Sequence, residues 1–318
     1  TNLLQPFVAF AELFLWILLL QLSDDIALSS RINISNYFTF SIVWFTIVSI
    51  IQYYNLGVLS DIFSNYGGNI NSGRLLMGEI LVPRVNAGIG GTVIDFACTL
   101  ILLGYINLFL KQKKATKIIN TILLSVLVVT SFSRIVLISV SFILLSWIIL
   151  FLRSRQKLER FVIILFVIVS LILVIMFPEN LLFSFFEDLF TSTQEEVRIS
   201  SWLMSFNTSS LLIGGDLGRN TGFPVDQVKV VGDGLFFGIF YDTGIIGLIL
   251  YILLIFEPLM KIARESKREN RWFIYIVILN VVIMNIVNSG FNYHINAVFY
   301  FFLVLSIKQF TSSQYTHI

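Results

Sequence analysis

Residues 111–160 read KQKKATKIIN TILLSVLVVT SFSRIVLISV SFILLSWIIL FLRSRQKLER. Two basic clusters, Lys111, Lys113, Lys114 and Lys117 on one side and Arg153, Arg155, Lys157 and Arg160 on the other, bracket an apolar stretch, 118–152, whose one charged residue is Arg134. A membrane-spanning helix needs about 20 apolar residues, so this stretch is either one very long helix or two spans joined near Arg134. Lysine and arginine collect in cytoplasmic loops, and a single crossing would put the two clusters on opposite faces. The hairpin reading keeps them together. At a rise of about 1.5 Å per residue, Arg134 then lies roughly 26 Å from Lys117 and 28 Å from Arg153, near the outer interface.

The composition demands the same class of protein. Of 318 residues, 57% are hydrophobic and only 13% charged, with 31 Phe, and the mean hydropathy is +0.88. Soluble domains are about half apolar and a quarter charged, so both departures point to surface in contact with lipid. A single cysteine, Cys98, excludes an internal disulfide, and with only His294 and His317 beside it neither a cysteine nor a histidine cage for a metal is expected. The chain opens on Thr1 and runs into an apolar stretch from Leu3 without the basic flank of a signal peptide, so an N-terminal portion is expected to be missing and any span count is a minimum.

Working outward, apolar windows fall at 3–22, 37–54, 91–110, 118–132, 135–152, 161–177, 235–256, 272–287 and 297–307. The expected fold is all-α: a polytopic transmembrane bundle of about nine or more spans forming one integral membrane domain over 1–318. A third basic loop, Lys261, Arg264, Lys267, Arg268 and Arg271, joins the first two on the cytoplasmic side. With Arg31 and Lys308 these hold 15 of the 21 Lys and Arg, leaving Arg74, Arg84, Arg134, Arg198, Arg219 and Lys229 outside. Two large outer loops result, 55–90 and 178–234.

The second outer loop is too long to be structureless filler. Leu181, Leu182, Phe185, Phe186, Leu189 and Phe190 form a stripe suited to a helix on the membrane surface. Thr193 to Glu196 has the capping-box pattern, and Ile199, Trp202, Leu203 and Phe206 follow at helical spacing. This predicts a second short amphipathic helix, with Arg198 on its second turn. Gly214, Gly215, Gly218 and Gly222 come next, where backbone can approach a ligand closely.

The outer arginines imply an anionic, phosphate-bearing ligand, because the guanidinium fork matches phosphate oxygens and keeps its charge where water is scarce. Each also has an ordinary explanation: Arg198 can pair with Glu195, Arg74 with Glu79, and Arg134 can snorkel to headgroups. Asp242 lies about two turns inside the seventh span and Asp95 a short way into the third; intramembrane carboxylates are costly, so each is a functional candidate or is held by a neighbouring Asn or Tyr. Gly234, Gly238, Gly244 and Gly247 suit close helix packing. Asp233, between two glycines, is either a general base or a solvated turn residue. His294 suits proton transfer, though a loop histidine also has a bland reading. No phosphate-binding P-loop, no zinc-protease helix and no Asp-x-Asp pair occurs. A metal-dependent nucleotide-sugar transferase is disfavoured on that ground, and any diphosphate here has to be neutralised by arginine.

From Arg134 to Gly247 the chain resembles the O-antigen polymerase (Wzy-type) and O-antigen ligase superfamily of polytopic membrane glycosyltransferases. The shared marks are Ser133-Arg134 at an outer helix end, a basic inner loop, and a large periplasmic loop carrying Arg198-x-x-x-Trp202. A glycine turn follows, Leu211-Leu-Ile-Gly-Gly215, and then Asp233 leading to Asp242-Thr-Gly-Ile-Ile-Gly247. Arg74 and Arg84 with Asn86 match upstream elements loosely. Ligases of this superfamily usually show histidine where Asp233 stands, which favours a polymerase.

The resemblance implies a bacterial inner-membrane enzyme with its active site facing the periplasm. It would transfer a growing surface glycan from undecaprenyl diphosphate to the next lipid-linked repeat unit, with no cofactor and no metal. Its implied partners are the undecaprenyl-diphosphate-linked oligosaccharide, the bilayer and a chain-length regulator, with no nucleic acid. Arg134 and Arg198, with Arg74 or Arg84, would clamp the diphosphate, and Asp233 or His294 would orient or deprotonate the attacking hydroxyl. Trp202, Gly215, Arg219 and Asp242 would contribute to substrate binding. The rivals are an O-antigen ligase, a flippase with a charged central pathway, and a non-catalytic membrane scaffold.

Overall fold

In the computed structural model the residues described are 34–54, 56–59, 74–77, 80–83, 87, 93–131, 200, 202–207, 210–215, 234–287 and 294–313. They are helical apart from turns and one short hairpin. The helices are α1 (Ile34–Tyr53), α2 (Val93–Phe109), α3 (Lys114–Ser131), α4 (Leu235–Glu265), α5 (Arg268–Val287) and α6 (His294–Ser313). Each coincides with one of the expected apolar windows. The windows at 3–22, 135–152 and 161–177 lie outside the described residues. Among the described residues two helices, α1 and α4, are long and apolar enough to cross a membrane.

The strands β1 (Arg74–Met77) and β2 (Ile80–Pro83) add one short hairpin, within the 55–90 loop, to an otherwise helical set of described residues. They pair antiparallel in the register Arg74 to Pro83 through Met77 to Ile80. Two four-residue apolar-rich runs separated by Gly78-Glu79 are a hairpin signal, since a glycine opening a two-residue loop supplies the backbone conformation that such loops need. Pro83 ends its strand, where a missing N–H is tolerated.

The chain divides into two compact units, Arg31–Thr191 on one hand and Thr1–Ser30 with Ser192–Ile318 on the other. In the first, α1 buries Phe38, Ile42, Phe45 and Val48 while Phe40, Trp44 and Ile47 stay exposed. A helix apolar on both faces suits packing on one side and lipid on the other. Phe45 meets Phe96 of α2 edge-on at 6.2 Å, and the lone thiol, Cys98, is buried.

A polar seam ties the three helices of this unit at one end. Asn107 of α2 donates to Thr121 Oγ1 at 3.0 Å, and Asn120 of α3 donates to Thr39 of α1 at 3.0 Å and to Gln112 at 2.9 Å. Thr39 and Asn120 both stand near the starts of their helices, so α1 and α3 run parallel with α2 antiparallel. Lys117 reaches back to the Leu108 carbonyl at 3.1 Å, satisfying one of the acceptors that the end of α2 leaves open. Ala87 adopts a left-handed φ of 52°, and Gln52 of α1 accepts its N–H at 2.9 Å.

In the second unit, α4 and α5 form a hairpin through Ser266 and Lys267. Arg271 donates to the Ser266 carbonyl at 3.0 Å and to the Arg264 carbonyl at 3.1 Å, sealing the end of α4. Pro258 lies within α4 and cannot donate to the Leu254 carbonyl, which loosens the local turn. There the buried Tyr300 hydroxyl of α6 donates to the Ile255 carbonyl.

Candidate functional site

Helix α4 is not the straight span that 235–256 implies. At Gly244 the backbone takes φ 65°, ψ −165°, a conformation outside the helix, and the element consists of two arms, 235–243 and 245–265. In a straight helix Phe236 and Tyr251 would stand about 22 Å apart along the axis, yet their rings meet edge-on at 6.2 Å. The first arm therefore folds back sharply toward the second. The second arm alone is about 31 Å long, enough to match the hydrocarbon thickness of a bilayer. Asp242 thus corrects its expected place: it sits beside the reversal at the far end of that arm, and not two turns down a continuous helix.

An interrupted helix leaves peptide groups unsatisfied, and in an apolar setting each costs several kcal/mol, on the order of the transfer penalty for an unpaired amide. Here residues 210–215 satisfy them. Ile245 N–H donates to the Leu211 carbonyl at 2.9 Å and Ile246 N–H to the Leu212 carbonyl at 3.3 Å, while the Tyr241 carbonyl accepts from Gly215 N–H at 3.2 Å. In an unbroken helix Ile245 and Ile246 would have donated to Tyr241 and Asp242. The turn is braced internally by Gly214 N–H to the Ser210 carbonyl at 2.7 Å and by Ile213 N–H to the Ser210 hydroxyl at 3.3 Å.

Two glycines make this docking feasible. A Cβ on Gly214 would lie 2.3 Å from the Asp242 carbonyl oxygen, and one on Gly244 would lie 2.4 Å from the Leu212 carbonyl. Both contacts are backbone against backbone, and both residues have positive φ, so no other residue fits without displacing main chain. The expected small-residue packing face is therefore mostly something else. Gly244 makes the break, the Cβ position of Gly247 is filled by Thr243 of the same helix, Gly238 is buried, and Gly234 abuts the backbone of α5, at the Ile286 carbonyl.

Alongside the first arm runs the segment 200–207. It is helical at Ser200 and 202–204 and tightens to a 3-10 turn at Ser205–Asn207. Trp202 stacks on Phe237 at 5.0 Å and 11°, and Phe206 meets Phe240 at 5.3 Å. Trp202 with Phe237, Phe206 with Phe240, and Leu211 with Ile245 advance in step, so the upstream segment runs parallel to the arm before turning at the glycines. The amphipathic pattern expected for 199–206 is met only in part. Leu203 and Phe206 are exposed while Ser205 is fully buried, its hydroxyl bonded to the Trp202 carbonyl at 2.6 Å.

The structure brings two of the predicted site residues together, Gly215 bonding the Tyr241 carbonyl beside Asp242, which is only 1% exposed, while Trp202 lies toward the other end of the same arm, on Phe237. Arg74 opens β1 opposite Pro83 and His294 opens α6. Arg84, Arg134, Arg198, Arg219 and Asp233 lie outside the described residues. What sequence reasoning misses is the role of Leu211 and Leu212, which act through their carbonyls, and of Gly244. Its signal was the isolated glycine directly after Asp242-Thr243 in an apolar run, which reads equally as helix packing. The arrangement is a buried carboxylate beside a helix break with a glycine turn closed over it. No protein-family model, curated protein or solved structure matches the chain.

Proposed function

We propose that this chain is a polytopic bacterial inner-membrane glycosyltransferase that joins lipid-linked repeat units into a surface polysaccharide of O-antigen or capsule type at the periplasmic face. The observation that carries the reading is the docking of 210–215 on the α4 break. The glycine turn Leu211 to Gly215 and the Asp242 to Gly247 element are two motifs of the resemblance, one on either side of Asp233 in the sequence, and they are hydrogen-bonded to each other. On the proposed orientation, with Lys261 and Arg264 inside, the break stands near the outer boundary of the bilayer, and the first arm folds back from it to carry Phe236 and Trp202 inward.

In the proposed reaction the acceptor hydroxyl oxygen bonds to the anomeric carbon of the donor glycan. The bond from that carbon to undecaprenyl diphosphate breaks, the diphosphate departs with the electron pair, and the hydroxyl proton passes to a base. By the resemblance, Arg198 would supply positive charge to the departing diphosphate, and Asp233 would orient or deprotonate the hydroxyl.

One observation favours a second reading. A discontinuous helix with a nearby carboxylate is a transporter trait, though in transporters the break lies near the bilayer midplane; the α4 break lies a full 31 Å arm from its basic end, about one hydrocarbon thickness. A null strain separates the cases by the intermediate it strands. Loss of a polymerase leaves single repeat units at the cell surface. Long carrier-linked chains would identify a ligase instead, and single units confined to the cytoplasmic leaflet would identify a flippase.

A further inference from the structure

The tip of the docked turn carries no polar side chain: it reads Leu211-Leu-Ile-Gly-Gly215. Leu211, Leu212 and Ile213 are 56%, 61% and 71% exposed, although their backbone is fixed to α4 by the hydrogen bonds described above. Exposed side chains on a pinned backbone cannot turn inward. For the tip to swing into water, the Ile245 and Ile246 N–H groups and the Tyr241 carbonyl would have to be uncovered in an apolar setting.

The second arm of α4 continues the same surface, with Ile246, Leu250 and Leu253 exposed below the tip. A contiguous patch of this kind in water marks an interaction site. Here it runs on from the outward face of a helix long and apolar enough to cross a membrane, and that continuity specifies the occupant. We infer that the 210–215 turn is a membrane-inserted cap: its backbone completes the broken helix, and its Leu-Leu-Ile tip is buried in the acyl chains of the leaflet. What the sequence places in an aqueous loop belongs to the lipid-facing wall. This stands apart from the reaction proposed above and survives if that reaction is wrong.

The test uses the full chain in a Cys98→Ser background, with one cysteine at a time carrying a nitroxide label, in vesicles of phosphatidylethanolamine and phosphatidylglycerol. Ile213→Cys should collide with oxygen in preference to a water-soluble nickel chelate by several-fold, in the same sense as the deeper Leu253→Cys though less strongly. Lys114→Cys, at an exposed lysine, gives the aqueous reference. Nickel accessibility at Ile213→Cys equal to that reference overturns the inference. So does a disulfide-linked dimer through Ile213→Cys that persists when the protein is diluted with lipid, since a second copy would then cover the tip. If Ile213→Cys does not fold, Leu212→Cys decides between the same outcomes.

Discussion

In both helical hairpins, α2 with α3 and α4 with α5, a cation from the second helix reaches back to the last carbonyls of the first, Lys117 to Leu108 and Arg271 to Ser266 and Arg264. Along their length they diverge. The α2–α3 hairpin keeps its helices whole and pairs buried side chains with one another, Asn107 with Thr121 and Asn120 with Thr39 and Gln112. The α4–α5 hairpin interrupts its first helix and hands the freed peptide groups to a turn about thirty residues upstream. A side-chain seam holds helices in register and leaves the backbone uncommitted. A backbone break fixed by another segment exposes peptide groups, which is tolerated at membrane depth only where something covers them.

The largest expected effect tests whether the break depends on that cover. Gly244→Ala places a methyl against the Leu212 backbone and adds left-handed strain, for a loss of about 3 kcal/mol or more. Gly57→Ala has a similar φ but nothing within 4 Å of the new Cβ, so it should lose only about 1 kcal/mol. Thermal unfolding in detergent compares the two. Equal losses would mean that the backbone approach at Gly244 contributes nothing.

Smaller effects come from the seam. Hydrogen bonds between membrane helices average about 0.6 kcal/mol, with values up to about 1.7. A double-mutant cycle of Asn107→Ala and Thr121→Val should return a coupling in that range, and a coupling of zero would reduce the seam to packing. Smallest of all are the caps: Lys117→Met should cost about 0.3–1 kcal/mol, and Arg271→Met somewhat more because it uncovers two carbonyls. If Arg271→Met proves the milder of the two, the hairpins are not closed by the same physics.

The existence of the helices is legible from hydropathy alone, because a run such as Leu235 to Phe256 has no other use for so many apolar residues. Their ends are less legible. Helix α3 begins at Lys114, ahead of the apolar window at 118, because lysine is a good helix former and Lys117 gains a carbonyl partner. Asp242 is picked out by its charge and Trp202 by its spacing, but the docking of 210–215 beside Asp242 is not. It depends on peptide groups, and peptide groups are the same at every position. The β1–β2 hairpin goes unread in a loop whose arginines draw attention first.

The docked turn also has an order in time. Leu211, Leu212 and Gly215 precede Tyr241, Ile245 and Ile246 in the chain, and synthesis proceeds from the N-terminus. The peptide groups that close the break are therefore made before the helix that needs them. The partner of the interrupted backbone has already been synthesised when α4 is made, and the break need not wait for sequence still inside the ribosome.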